Sequence, residues 1–262
     1  MIRVKELQVH YGSHEVLRGL DVEIHDCDFT VLAGPNGAGK STLLYTIMGY
    51  HPASGGSVHL YDKPIGSYKP GELASLISFV PQESVFSFDF RVEELVLMGR
   101  YPFMGIMQAW TEEDREVARQ AMGLLRLEGF AQRWYSQLSG GEKQRVLIAR
   151  ALAQETRYIF LDESLSQLDI NHQVEIMRLL SKIHSEKQIG ILLVSHNLNL
   201  AANFADSMIF LKDGRVMGHG SPGQLMTPEA LGELYGLELE VVANPLSGVP
   251  NLIYPGKTRS AG

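Results

Sequence analysis

The sequence holds one cysteine, Cys27, in 262 residues. No internal disulfide is therefore possible, and a reduced, cytosolic setting is the expectation. No stretch approaches the ~18 apolar residues needed to span a membrane as a helix. The opening MIRVKELQVHYG alternates apolar and polar residues and lacks the apolar centre of a secretory signal. Any work at a membrane is expected to pass through another chain. Positive charge is also scarce: 23 Lys and Arg stand against 30 Asp and Glu, a net charge of −7. That balance argues against a nucleic-acid or anionic-membrane surface, although it leaves room for a local basic patch. There is no internal repeat and no low-complexity tract. What remains, 45% hydrophobic and 20% charged residues, is ordinary for a soluble globular chain, large for one domain unless a smaller lobe is inserted.

Periodicity gives an outline of the chain. Residues 2–9 and 17–24 alternate as strands do, and FTVLAG (29–34) is a continuous apolar run like a buried strand. A short helix is expected from Ser41, ended by Gly49, with strands at 57–61 and 76–80. From Arg91 to about Tyr135 the texture becomes helical, with Thr111 and Asp114 spaced as a capping box. This stretch reads as a helical lobe inserted into an α/β core. Beyond it the expected order is helix 141–153, strand 158–162, helix 169–186, strand 190–195 and a short helix near 197–204. Alternating strands and helices imply a parallel sheet with crossover helices. A hairpin turning on Asp213-Gly214 and a helix over 227–236 follow. The tail from Leu237 carries mixed signals, and its last residues are expected to be loose.

Gly34-Pro35-Asn36-Gly37-Ala38-Gly39-Lys40-Ser41 fits G-x-x-x-x-G-K-[ST], after an expected strand and opening an expected helix. The glycines allow a tight turn that points several N–H groups inward. Lys40 supplies a point charge for β- and γ-phosphates, and the Ser41 hydroxyl can ligate Mg²⁺, with Thr42 beside it. YIFLDE (158–163) is the expected companion: a buried strand that delivers Asp162 for Mg²⁺ and Glu163 to polarise the attacking water. Two adjacent carboxylates repel unless a cation lies nearby, which suits a metal site. A second phosphate cradle, LSGGEKQRV (138–146), has a serine and two glycines at an expected helix start.

Together these motifs resemble those of the ABC ATPases, and the resemblance spans nearly the whole chain. It implies a P-loop NTPase core of mostly parallel sheet. An N-terminal antiparallel β-subdomain and an inserted α-helical subdomain (about 88–150) would complete a domain over 1–240, with 241–262 as an extension. By the same resemblance Tyr11 stacks on adenine. Gln82, in FVPQES, contacts Mg²⁺ and the water, SQLD (166–169) is the D-loop, and His196 contacts the γ-phosphate. Ser139, Gly140, Gly141 and Glu142, with Asp169, would close over the ATP held by a second copy in a head-to-tail homodimer, giving two composite sites. The sequence departs from the family in two places. Ser164-Leu165 follows Glu163 in place of proline and threonine, and Asn197 replaces the usual aspartate after His196. Neither removes a ligand or the proposed base, but the first is expected to loosen the D-loop.

RVEELVLMGRYPF (91–103) and the stretch 227–255 are similar to the ATPase subunits of iron-siderophore, haem and cobalamin importers. That implies a peripheral protein on the cytoplasmic face of the inner membrane. Its partners would be permease subunits and, indirectly, a substrate-binding protein, with no nucleic acid expected. Phe86, Phe88, Phe90, Met98, Met104 and Met107 could face a permease or form the lobe's own core. A soluble regulatory or nucleic-acid-related ABC ATPase is the alternative reading. A small-molecule phosphotransferase is disfavoured, because the second cradle would then have no task.

Overall fold

The computed structural model describes residues 1–82, 84, 86–105 and 108–256. Along these residues the strands are β1 (Ile2–Tyr11), β2 (His14–Ile24), β3 (Phe29–Ala33), β4 (Gly55–Leu60), β5 (Lys63–Pro64), β6 (Ile77–Val80), β7 (Tyr158–Asp162), β8 (Gly190–Val194), β9 (Ser207–Lys212), β10 (Arg215–Gly220), β11 (Glu240–Ala243) and β12 (Pro250–Ile253). The helices are α1 (Lys40–Ile47), α2 (Pro70–Ala74), α3 (Val92–Leu97), α4 (Glu112–Leu124), α5 (Gly140–Ala153), α6 (Ile170–Lys187), α7 (Leu198–Ala202), α8 (Pro222–Leu225) and α9 (Pro228–Tyr235).

The central sheet has the order β10-β9-β3-β8-β7-β6, parallel throughout except for β10. A continuous apolar strand is what such a sheet needs, because both faces are covered. Alternate residues of β3, β7 and β8 go to opposite sides. Phe29, Val31, Ile159, Leu161, Ile191 and Leu193 join one core with the helical segment and the C-terminal helices. Leu32, Tyr158, Phe160, Leu192 and Val194 join the other, with α1 and the N-terminal strands. That second layer is the antiparallel sheet β2-β1-β4-β5. The hairpin between β9 and β10 turns on Asp213 and Gly214, both at positive φ (47° and 75°), as the Asp-Gly pair predicts.

Between β6 and β7 the regular elements among the described residues are helical, α3 to α5. Thr111 caps α4 and pairs reciprocally with Asp114. Asp114 also receives Arg100 Nε at 3.0 Å, and Arg100, itself buried, reaches the Ala153 carbonyl at 2.9 Å. The helical segment is thereby tied to the end of α5. Phe86, Phe90 and Met98 pack on this region's own core, whereas Phe88 is 76% exposed. Met107, read as a possible permease contact, and the tail beyond Gly256 lie outside the described residues. The mixed signals after Leu237 resolve into the β11–β12 hairpin. Its short strands carry no long alternation, so periodicity gave little sign of it.

Candidate active site

Parallel pairing brings the expected site residues to one edge. Leu32 of β3 pairs with Val194 of β8, and Asp162 of β7 pairs with the same Val194. The loop after β3, the end of β7 and the turn after β8 therefore emerge side by side, where open α/β sheets take their ligands. Gln82 lies exposed two residues beyond Val80, which pairs with Leu161 on the neighbouring strand. Its sheet position puts it at the same edge.

The loop after β3 wraps around its own lysine. Gly37 and Gly39 adopt φ of 80° and 101°, which a side chain would resist. A Cβ on Gly34 would lie 2.0 Å from the Leu211 carbonyl oxygen, so the loop can rest against β9 only as glycine. The buried Lys40 Nζ donates to the carbonyls of Gly34 and Pro35, both at 3.1 Å, and lies 3.8 Å from Glu163 Oε1. The first turn of α1 leaves backbone N–H groups without intrahelical acceptors, facing this loop. Asn36 is exposed, while Ala38 is buried.

Opposite stand the two acids. Asp162, 4% exposed, accepts the Ser41 hydroxyl at 3.1 Å. Burial pushes its pKa up, opposed by the Ser41 hydrogen bond; the neighbouring Glu163 charge pushes it further up, and Lys40 pulls it down. Burial likewise lowers the Lys40 pKa, and the charges of Glu163 and Asp162 oppose that shift. Lys40 and the two carboxylates offset each other's burial cost, whereas the carboxylates oppose one another. Glu163 sits at φ 46°, a left-handed conformation that costs a glutamate energy and is met where geometry must be held for function. Its Oε1 is 2.6 Å from His196 Nε2. Ser41, Asp162, Glu163, Lys40 and His196 thus form one connected cluster.

Other expected residues lie apart from that cluster. Tyr11 ends β1, 47% exposed, with its ring 4.4 Å from that of His51. Ser139 caps α5, and its hydroxyl and amide both bond the Glu142 carboxylate, at 2.7 and 2.8 Å. Gly140 is exposed; Gly141 is buried against His172, where a Cβ would lie 2.5 Å from the ring. Asp169 caps α6 and holds the His172 ring at 2.9 Å. The side-chain bonds of Ser139 and Glu142 stay within their own helix start, and those of Lys40 stay with its loop and Glu163. The two expected phosphate cradles are each bonded locally.

Comparison with known proteins agrees with this geometry. Residues 17–166 match the family model described as ABC transporter. The chain belongs to the ABC transporter family. It is 37% identical to the ferric enterobactin transport ATP-binding protein FepC of Escherichia coli (strain K12), over 98% of this chain and 95% of that one. It is 39% identical to the hemin import ATP-binding protein HmuV of Streptomyces coelicolor, over 92% and 85% respectively. A solved structure of an inward-facing putative metal-chelate type ABC transporter superposes with a TM-score of 0.86 at 28% identity, covering 98% of both chains. A dimeric bacterial ABC transporter cassette superposes at 0.73 with 31% identity, over 84% of this chain and 98% of that one. The ABC fold is as the motifs implied, and the chain is an ATP-binding ATPase of that family.

Sequence reasoning missed three residues that lie beside the expected site residues. Gln173 and Tyr254 line a cavity of about 430 Å³ beside Glu163 and His196, together with Asn197. Nothing local marks Gln173, in the first turn of α6, or Tyr254, after the terminal hairpin. His172 was equally silent, though Gly141 in a helix first turn hints at a close neighbour. Among the described residues no helix is long and apolar enough to cross a membrane.

Proposed function

We propose that this chain is the ATPase subunit of an importer for a metal chelate, a ferric siderophore or haem, with cobalamin as a further member of that class. It works as a head-to-tail homodimer on the cytoplasmic face of the inner membrane, bound to separate permease subunits that receive cargo from a substrate-binding protein. The unit is an ABC domain over 1–240, with its helical subdomain near 88–150 and the extension 241–262. The observation that carries the reading is the Lys40–Glu163–His196 cluster on one edge, with a separate Ser139–Gly141 cradle bonded locally. The near-full-length likeness to FepC and HmuV supports the class of cargo.

On this reading the 34–42 loop binds the ATP phosphates through its amides, and Tyr11 covers adenine. Lys40 exchanges its two loop carbonyls for β- and γ-phosphate oxygens, recovering charge-assisted bonds in place of neutral ones. Glu163 accepts a proton from a water aligned with the γ-phosphate. His196 holds the Glu163 carboxylate and contacts the phosphate as negative charge moves outward. The Ser41 hydroxyl, the raised-pKa Asp162 carboxylate and Gln82 form an oxygen-donor set that fits Mg²⁺, which is commonly held by one or two carboxylates together with phosphates. When bound, the ion would neutralise charge on the β- and γ-oxygens. From the second copy, Ser139, Gly140, Gly141, Glu142 and Asp169 close the site, with the positive end of α5 toward the γ-phosphate.

The test is expression together with the membrane subunits of the same gene cluster. Membrane extraction should recover the chain bound to a hydrophobic permease, with ATP turnover stimulated by loaded binding protein. Recovery only as an unpartnered cytosolic protein, with turnover stimulated by nucleic acid, would favour the soluble regulatory alternative.

A further inference from the structure

Asn197 is where this chain departs from the aspartate usual after the family histidine. Its side chain does two things. Oδ1 accepts the Leu200 amide at 3.2 Å and caps α7, and Nδ2 donates to Gln173 Oε1 at 3.2 Å. Gln173 in turn donates through Nε2 to the Leu168 carbonyl at 2.9 Å. Both amides are oriented by the backbone. Leu200 N–H demands an oxygen from Asn197, and Leu168 C=O demands an N–H from Gln173. What is left between them is one donor facing one acceptor.

An aspartate in place of Asn197 would keep the cap, since it also accepts from Leu200, but it would turn an acceptor toward Gln173 Oε1. Gln173 could relieve that only by flipping, and its oxygen would then face the Leu168 carbonyl. The two residues are matched: asparagine here suits the glutamine opposite, and the family's usual residue does not. The chain of bonds starts beside His196 and ends in the segment between Glu163 and Asp169. It crosses the cavity wall next to the Glu163–His196 pair. That segment begins with Ser164, which is buried and whose hydroxyl has no hydrogen-bond partner among the described residues. The proline usual there, which would stiffen the turn, is absent.

We propose that Asn197 and Gln173 are positioning residues for ATP hydrolysis: an amide relay that locks the His196 turn to the 164–168 loop and supplies restraint that the missing proline does not. The proposal rests on the reading of Glu163 and His196 given above. It predicts that movement of one loop on ATP binding or dimer closure is transmitted to the other through these two side chains.

A double-mutant cycle tests it: Asn197→Asp, Gln173→Ala and the pair, measured for kcat, KM for ATP and melting temperature, with Glu163→Gln alongside. Asn197→Asp should lower kcat roughly threefold to tenfold, the worth of one hydrogen bond turned repulsive. KM should hardly change, and the melting temperature should fall by only about 2–4 °C, because the helix cap survives and only the Asn197–Gln173 contact is lost. In the Gln173→Ala background the same change should have no further effect on kcat. The loss in Asn197→Asp should be partly restored by Gln173→Lys, whose ammonium can donate both to the new carboxylate and to the Leu168 carbonyl. Unchanged kcat in Asn197→Asp, or additive losses in the pair, would overturn the relay. A fall in melting temperature that accounts for the lost activity would reduce it to ordinary packing. Full turnover in Glu163→Gln would instead show that the reading of the site had failed.

Discussion

Replacing Glu163 by glutamine separates chemistry from binding more cleanly than any other single change. The amide has the same shape and can still accept from His196 Nε2, which lies 2.6 Å from Oε1. The backbone at φ 46° costs glutamine no more than glutamate, since both carry the same Cβ. Lys40 loses a carboxylate at 3.8 Å but keeps two carbonyls at 3.1 Å and the Asp162 charge. The removed Glu163 charge no longer pushes up the Asp162 pKa, which offsets part of that loss. The folded state should therefore change by under about 1 kcal/mol. Turnover is different, because an amide cannot take a proton from water. Loss of a positioned base costs about 10²–10⁴-fold, or ~3–5 kcal/mol of barrier. Phosphate release at saturating Mg-ATP measures that fall. A fluorescent nucleotide should report binding near wild type, and gel filtration with ATP should show a trapped dimer. A kcat within about threefold of wild type, with binding intact, would remove Glu163 from the base role. Lost binding with residual turnover in what does bind would make it a holder of Lys40 instead.

Gly141→Ala should spare nucleotide binding at Lys40 yet impair hydrolysis. The new Cβ would lie 2.5 Å from the His172 ring, which Asp169 holds at 2.9 Å, so the start of α5 must shift from α6. A misplacement near 1 Å costs on the order of 100-fold in rate, and the Glu163→Gln, Gly141→Ala double variant should elute as a monomer with ATP; a normal dimer would refute this. Asp114→Asn probes the helical segment through pH. The Thr111 hydroxyl first, then the Thr111 amide and Arg100, hold the Asp114 pKa below its usual 3.8. A lowered folded pKa means stability that is present above the unfolded value and lost as pH falls through the folded one. The variant should melt below wild type at neutral pH, and the gap should close as pH falls through the folded value; a constant gap would show that the charge is not involved.

The strands and the first phosphate loop were legible because their causes are local. Apolar runs such as FTVLA and YIFLD need cover on both faces, and glycines such as Gly37 and Gly39 are needed wherever φ must be positive. Thr111 with Asp114 announces a helix start because the partner lies three residues away, and the structure adds the same box between Ser139 and Glu142. The α4 capping box formed even with the shorter acid. The terminal hairpin was illegible, since two four-residue strands joined by a loop carry too little pattern. Asn197 reads as a neutral departure in the sequence, because only the fold sets Gln173, 24 residues earlier, opposite it.

The linear order of residues decided what chemistry this ABC chain could perform. It named the phosphate loop, the two carboxylates and the second cradle, because each is a short motif whose function depends on near neighbours, and the family resemblance added the histidine. Tertiary structure alone decided how they meet. Parallel register sets Asp162 level with Val194, so that Glu163 touches His196 across 33 positions of sequence. It left the Ser139 cradle bonded within its own helix start and packed against His172. Those outcomes depend on sheet order and helix packing, which are sums over the whole core and leave no mark at any single position.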